Sequence, residues 1–215
     1  MSSFELNKSL ERKLTILSYH GVVEAKEKGL INFQGKHIPA KDFYEQMEFI
    51  SKFCTPLSMN EWIDLRSNPE KIPLYPTIVT FDDGFKNNLD IAAPILEKFS
   101  VPSIFYISSG IVGSERMFWV DVIEQCLEFT KVTGISIRLG FLKKYKLDSL
   151  DKKIQALLEI KGWCKSQKDS EINRVVEELV VQTKISPKKD INSNYMTLSW
   201  DDLRALNDND LFTIG

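Results

Sequence analysis

Thr77-Ile78-Val79-Thr80-Phe81-Asp82-Asp83-Gly84 runs from a continuous apolar and β-branched stretch directly into two adjacent carboxylates and a glycine. A strand buried on both faces reads this way, as the parallel strands of α/β proteins do. Pro73 and Pro76 break the chain just before it. Residues 88–99 follow as a helix, with Leu89, Ala92, Ala93 and Leu96 on one side. Pro102 then introduces Ser103-Ile104-Phe105-Tyr106-Ile107, a second strand of the buried type. Strand, helix, strand, with a crossover long enough to run back, is a βαβ unit.

Working outward, residues 14–19 (Leu-Thr-Ile-Leu-Ser-Tyr) read as a first strand ended by His20-Gly21, and residues 21–39 as a long loop. Phe43, Met47 and Ile50 at helical spacing predict a helix over 40–53. Ser58 is placed to cap a second short helix. Beyond Ser108 the pattern changes. Residues 118–130 read as a helix, 135–139 as a short strand, and 147–183, rich in Lys and Glu, as two or three amphipathic helices. Ser199 caps a last helix, and Leu211-Phe212-Thr213-Ile214-Gly215 opens another buried strand. Three clear strands, one short one and this last opening fall short of the roughly eight of a closed β/α barrel. The expectation is the N-terminal part of one larger domain, spanning 1–215, with a helical insertion at about 122–195.

Composition narrows the function classes. Of 215 residues, 43% are hydrophobic and 27% charged, the balance of a globular protein. With 28 basic and 30 acidic residues the net charge is −2, which argues against nucleic acid as partner. Cys54, Cys126 and Cys164 are odd in number and form no C-x-x-C pair, which excludes a disulfide framework and a cysteine zinc site. No stretch approaches the roughly 18 apolar residues of a membrane span. The charged N-terminus has no signal-peptide core. The chain is expected to be soluble and cytoplasmic, exported only if a signal has been removed.

The chemistry concentrates at Asp82-Asp83-Gly84. Ligands of α/β folds bind at the C-terminal ends of parallel strands, so the pair sits where chemistry is done. Two ionised neighbours repel, and a divalent cation relieves that, leaving one carboxylate as ligand and the other as a base. From the residues alone, a solvated strand end with a turn glycine stands beside this reading.

The motif Thr80-Phe81-Asp82-Asp83-Gly84 resembles the first motif of the polysaccharide deacetylases, the NodB-homology or carbohydrate esterase family 4 enzymes. Leu17-Ser18-Tyr19-His20-Gly21-Val22 resembles their first-strand element, and Val101-Pro102-Ser103-Ile104-Phe105-Tyr106-Ile107 a later one. Phe118-Trp119-Val120-Asp121 resembles an aromatic element of some members. The resemblance covers residues 14–121, and 196–215 resembles the approach to the second motif. It implies an α/β fold of the distorted (β/α) barrel, NodB type, incomplete in this chain. It implies a metal-dependent hydrolase that removes acetyl groups, N-acetyl first, from a glycan or sugar intermediate. Asp82 would be the general base and Asp83 a ligand of a divalent metal, zinc. His20, Gly84, Tyr19 and Trp119 are candidates for lining the site.

The chain departs from the family in one respect. It has two histidines, His20 and His37, and neither matches the paired metal ligands of the second motif. Those ligands are expected beyond Gly215, so the 215-residue chain is expected to have an incomplete metal site and little or no activity. His37, in a Lys/Gly-rich loop, is expected to be solvated. The alternative is a non-catalytic carbohydrate-binding relative. A phosphatase with Asp82 as nucleophile ranks below both, because the two acids lack the intervening residue of D-x-D.

Overall fold

The computed structural model describes residues 11–215. The elements are β1 (Thr15–Tyr19), β2 (Gly21–Val23), β3 (His37–Pro39), α1 (Ala40–Phe53), β4 (Thr55–Pro56), α2 (Met59–Leu65), β5 (Pro76–Phe81), α3 (Ala93–Phe99) and β6 (Ser103–Phe105). They continue as α4 (Trp119–Phe129), β7 (Gly134–Leu139), β8 (Phe141–Lys146), α5 (Leu150–Cys164), α6 (Asp169–Thr183), α7 (Trp200–Asn207) and β9 (Phe212–Ile214). The chain divides into two compact units.

Among the described residues the first unit comprises 11–26, Gly35–Ser114 and Met196–Gly215. Its sheet is parallel, in the order β1-β5-β6-β9, with β4 pairing the start of β5. The α/β class is thus present, and among the described residues the sheet is open, not closed into a barrel. All six residues of β5 are buried. Alternation explains why. Val79 and Phe81, with Phe105 of β6, pack into the main core beside Phe43, Met47, Leu96 and Leu203 of the helices. Ile78 and Ile104 pack on the other face with Leu57, Met59, Trp62 and Leu65 around α2.

Helix starts follow their chemistry. Ser58 and Glu61, and likewise Ser199 and Asp202, form reciprocal capping boxes. Residues 88–99 are not one regular helix. A π turn over Asn88–Ala92 precedes α3, ahead of Pro94, whose missing N–H cannot join a mid-helix ladder. The expected loop over 21–39 contains β2 and β3, paired in parallel, Gly21 opposite His37.

The second unit comprises Glu27–Gln34 and Glu115–Tyr195, with its own core of Leu30, Ile123, Leu127, Ile137, Leu157 and Leu179. Besides three helices it holds an antiparallel hairpin of β7 and β8. β8 (Phe-Leu-Lys-Lys-Tyr-Lys) buries only Tyr145, so it carries little strand signal. The free edge of β7 is closed by side chains: Gln182 bonds both the N–H and the C=O of Ser136, and Arg174 donates to the Arg138 carbonyl. On α4, Glu124 accepts from the Asn32 amide, the Tyr195 hydroxyl and the buried Lys161 ammonium at 3.1 Å. Glu128 accepts from the Leu30 amide. All three cysteines are free thiols, Cys126 and Cys164 buried and Cys54 half-buried. Among the described residues no helix is long and apolar enough to cross a membrane.

Candidate active site at the ends of the parallel strands

β5 lies between β1 and β6, and its C-terminal end carries the acid pair. The Asp82 N–H donates to the Tyr19 carbonyl (2.8 Å), which continues the β1–β5 ladder by one residue. Asp83 and Gly84 then both take left-handed backbone, φ +75° and +81°. Glycine adopts this freely, and aspartate is one of the few other residues that tolerates it. A Cβ at residue 84 would also lie 3.1 Å from the Ile107 side chain. The chain therefore turns sharply as it leaves the sheet, with both acids half-buried at its rim.

The turn is tied on two sides. The Ser108 N–H reaches the Asp83 carbonyl at 3.4 Å, from the exit of β6. The Leu198 N–H donates to the Gly84 carbonyl and the Lys86 N–H to the Met196 carbonyl, both at 2.9 Å. Lys86 Nζ also reaches Asp202 at the start of α7 (2.6 Å). These ties come from distant parts of the sequence, which individual motifs cannot show.

The two acids have different surroundings. The Ser18 hydroxyl donates to Asp82 Oδ2 at 2.9 Å. Burial raises the Asp83 carboxyl above its ordinary value; His20 and Lys36 oppose the rise, and Asp82 adds to it. His20 is exposed at the end of β1 and electrostatically coupled to Asp83. Gly84 is buried within the turn. Tyr19 is buried, packed edge-on against Phe43, and its hydroxyl donates to Gln46 at 2.6 Å. Burial pushes that phenol up to about 12. Trp119, half-buried at the first turn of α4, belongs to the second unit.

The solvated His37 of the sequence reading is corrected. His37 is 1% exposed, packs edge-on against Phe85 and lies 3.2 Å from the Asn87 amide nitrogen. The parallel pairing of β2 with β3 carries it inward. Phe33 and Tyr106 are exposed, and Tyr106 follows β6 directly. Ser18, Lys36 and the strip 196–198 are the site neighbours that motif reading missed. For Ser18 a signal existed, since it stands two residues before His20 on the strand paired with β5.

A metal needs more donors than these. Among the described residues no three His, Cys, Asp or Glu side chains gather as a metal-holding set. The described residues thus do not by themselves make a complete metal site.

No protein-family model matches the chain, and no curated protein sequence does. Among solved structures it is similar to IcaB from Ammonifex degensii (24% identity, TM-score 0.41), over 52% of this chain and 47% of that one. It is similar to the deacetylase PplD of Streptococcus pyogenes in complex with acetate (22%, TM-score 0.41), over 48% and 47%. It is also similar to a de-N-acetylase from Aggregatibacter actinomycetemcomitans (19%, TM-score 0.43), over 71% and 73%. The chain thus spans about half the length of the first two.

Proposed function

We propose that the chain carries the carboxylate half of a deacetylase centre that hydrolyses acetyl groups, N-acetyl first, on a glycan or sugar intermediate. One observation carries this reading: an adjacent, half-buried acid pair on a strained turn at the end of the central strand, with its first acid held by a neighbouring strand. Strained backbone at a strand end is the kind of cost that functional sites retain. The motif resemblance supplies the reaction class.

In this reading Asp82 removes the proton from the water that attacks the acetamide carbonyl. A positioned base of this kind is worth about 10²- to 10⁴-fold in rate. Asp82 Oδ2 already accepts from Ser18, so Oδ1 is the oxygen free to take the proton. Asp83 is the carboxylate that the resemblance assigns to a divalent metal, zinc. The described residues bring no complete set of three donors to such an ion.

The test is acetate release from N-acetylglucosamine oligomers by the protein as its gene encodes it. Turnover is expected, and Asp82→Asn is expected to lower it by about 10²-fold or more. Turnover undiminished in Asp82→Asn removes the base from the mechanism. Oligomer binding without acetate release would replace this reading with a non-catalytic carbohydrate-binding relative.

A further inference from the structure

We propose that Ser18 is a positioning residue for Asp82, fixing the carboxylate that acts as base; the inference rests on the deacetylase reading above. Asp82 is held from β1 at two points. Its amide donates to the Tyr19 carbonyl at 2.8 Å, and its Oδ2 accepts from the Ser18 hydroxyl at 2.9 Å. Both partners lie on the strand that pairs residue by residue with β5, Ser18 opposite Thr80 and Tyr19 opposite Phe81. The backbone bond fixes where Asp82 stands. The hydroxyl bond fixes how its carboxylate is turned.

A half-buried aspartate at a strand end has side-chain freedom that the backbone alone does not remove. A base loses efficiency when its acceptor oxygen wanders from the proton it must take. Ser18 engages one oxygen and leaves the other. Ser18 itself is exposed, and an exposed hydrogen bond contributes little to stability. A serine at this position therefore adds little to the fold and a great deal to the orientation of one carboxylate.

The experiment compares Ser18→Ala, Ser18→Thr and Asp82→Asn in the acetate-release assay. Ser18→Ala is expected to lower kcat by about tenfold to a hundredfold with KM within about twofold, because positioning and not binding is lost. Ser18→Thr keeps the hydroxyl and is expected to restore most of the rate. Ser18→Ala added to Asp82→Asn is expected to cost nothing further, since the residue it positions is gone. An unchanged kcat in Ser18→Ala overturns the proposal, as does an equal loss in the Asp82→Asn background. Crystals of wild type and of Ser18→Ala give a readout that needs no turnover: the Asp82 side chain should leave, in the variant, the rotamer that bonds Ser18 in the wild type. A carboxylate that stays in place without the hydroxyl overturns the proposal even where the enzyme is active. A wild-type protein that releases no acetate, yet loses the Asp82 rotamer in Ser18→Ala, refutes the deacetylase reading while leaving Ser18 as the group that orients this carboxylate.

Discussion

Gly21 shows how tightly single residues are specified around the acid pair. Its Cα lies against His37 and Asn87, so a Cβ there would collide with the imidazole ring and the Asn87 amide oxygen. Both neighbours are buried, at 1% and 3% exposure, and have little room to retreat. Gly21→Ala should therefore destabilise the protein by about 1–3 kcal/mol, the usual cost of forcing volume into a packed site. Thermal unfolding measures this, and a melting temperature equal to wild type would show that the contact relaxes freely. At this scale the sequence was partly legible. The acid pair and its glycine announced themselves by type and position. The burial of His37 did not, because a three-residue strand carries no periodicity and its partner lies 16 residues away, Gly21 opposite His37.

Elements were the most readable level wherever period and cap agreed. The helix over 40–53 matched its predicted range because Phe43, Met47 and Ile50 form one apolar stripe and are the residues it buries. The Ser199 cap was visible for the same kind of reason, and it makes a prediction. Burial raises the Asp202 carboxyl, but bonds from Lys86 and from the Ser199 amide and hydroxyl outweigh this and hold it below its ordinary value. A carboxyl lowered on folding adds stability that is fully present above the usual aspartate range and is lost as the pH falls through it. Ser199→Ala should cost about 1 kcal/mol, the usual value of an N-cap. In urea unfolding at neutral and at acid pH, the difference between wild type and Ser199→Ala should shrink below pH 4 or so. A difference that grows on acidification would contradict the role given to Asp202. β8 escaped the sequence reading because only Tyr145 of its six residues is buried, so its strand character comes from pairing with β7.

The whole chain is organised as two units with separate cores. Within the second unit, Lys161 and Glu124 form a buried ion pair with 8% and 5% side-chain exposure. Removing one partner of such a pair leaves a charge buried alone and costs about 3–5 kcal/mol. Lys161→Met should thus loosen the second unit selectively. Hydrogen exchange in this variant should show faster exchange along α4 and α5 while the amides of β5 keep their protection. Equal loss of protection in both places would mean that the two cores unfold as one cooperative body.

The sequence by itself determined the α/β class, the buried central strand, the helix over 40–53, the Ser199 cap and the place of the acid pair. Each of these is written in local terms: a run of β-branched residues, a helical period, a cap, two carboxylates before a glycine. Only the tertiary structure decided which residues stand around those carboxylates. Ser18, Lys36, Ser108 and the strip 196–198 reach the turn through strand register and loop closure. Strand pairing also drew His37 into the interior and, in the β7–β8 hairpin, made a strand of a lysine-rich segment. Hydrogen-bond partners across a sheet are set by which strands lie side by side, and that order is a property of the folded chain and not of any short stretch of it.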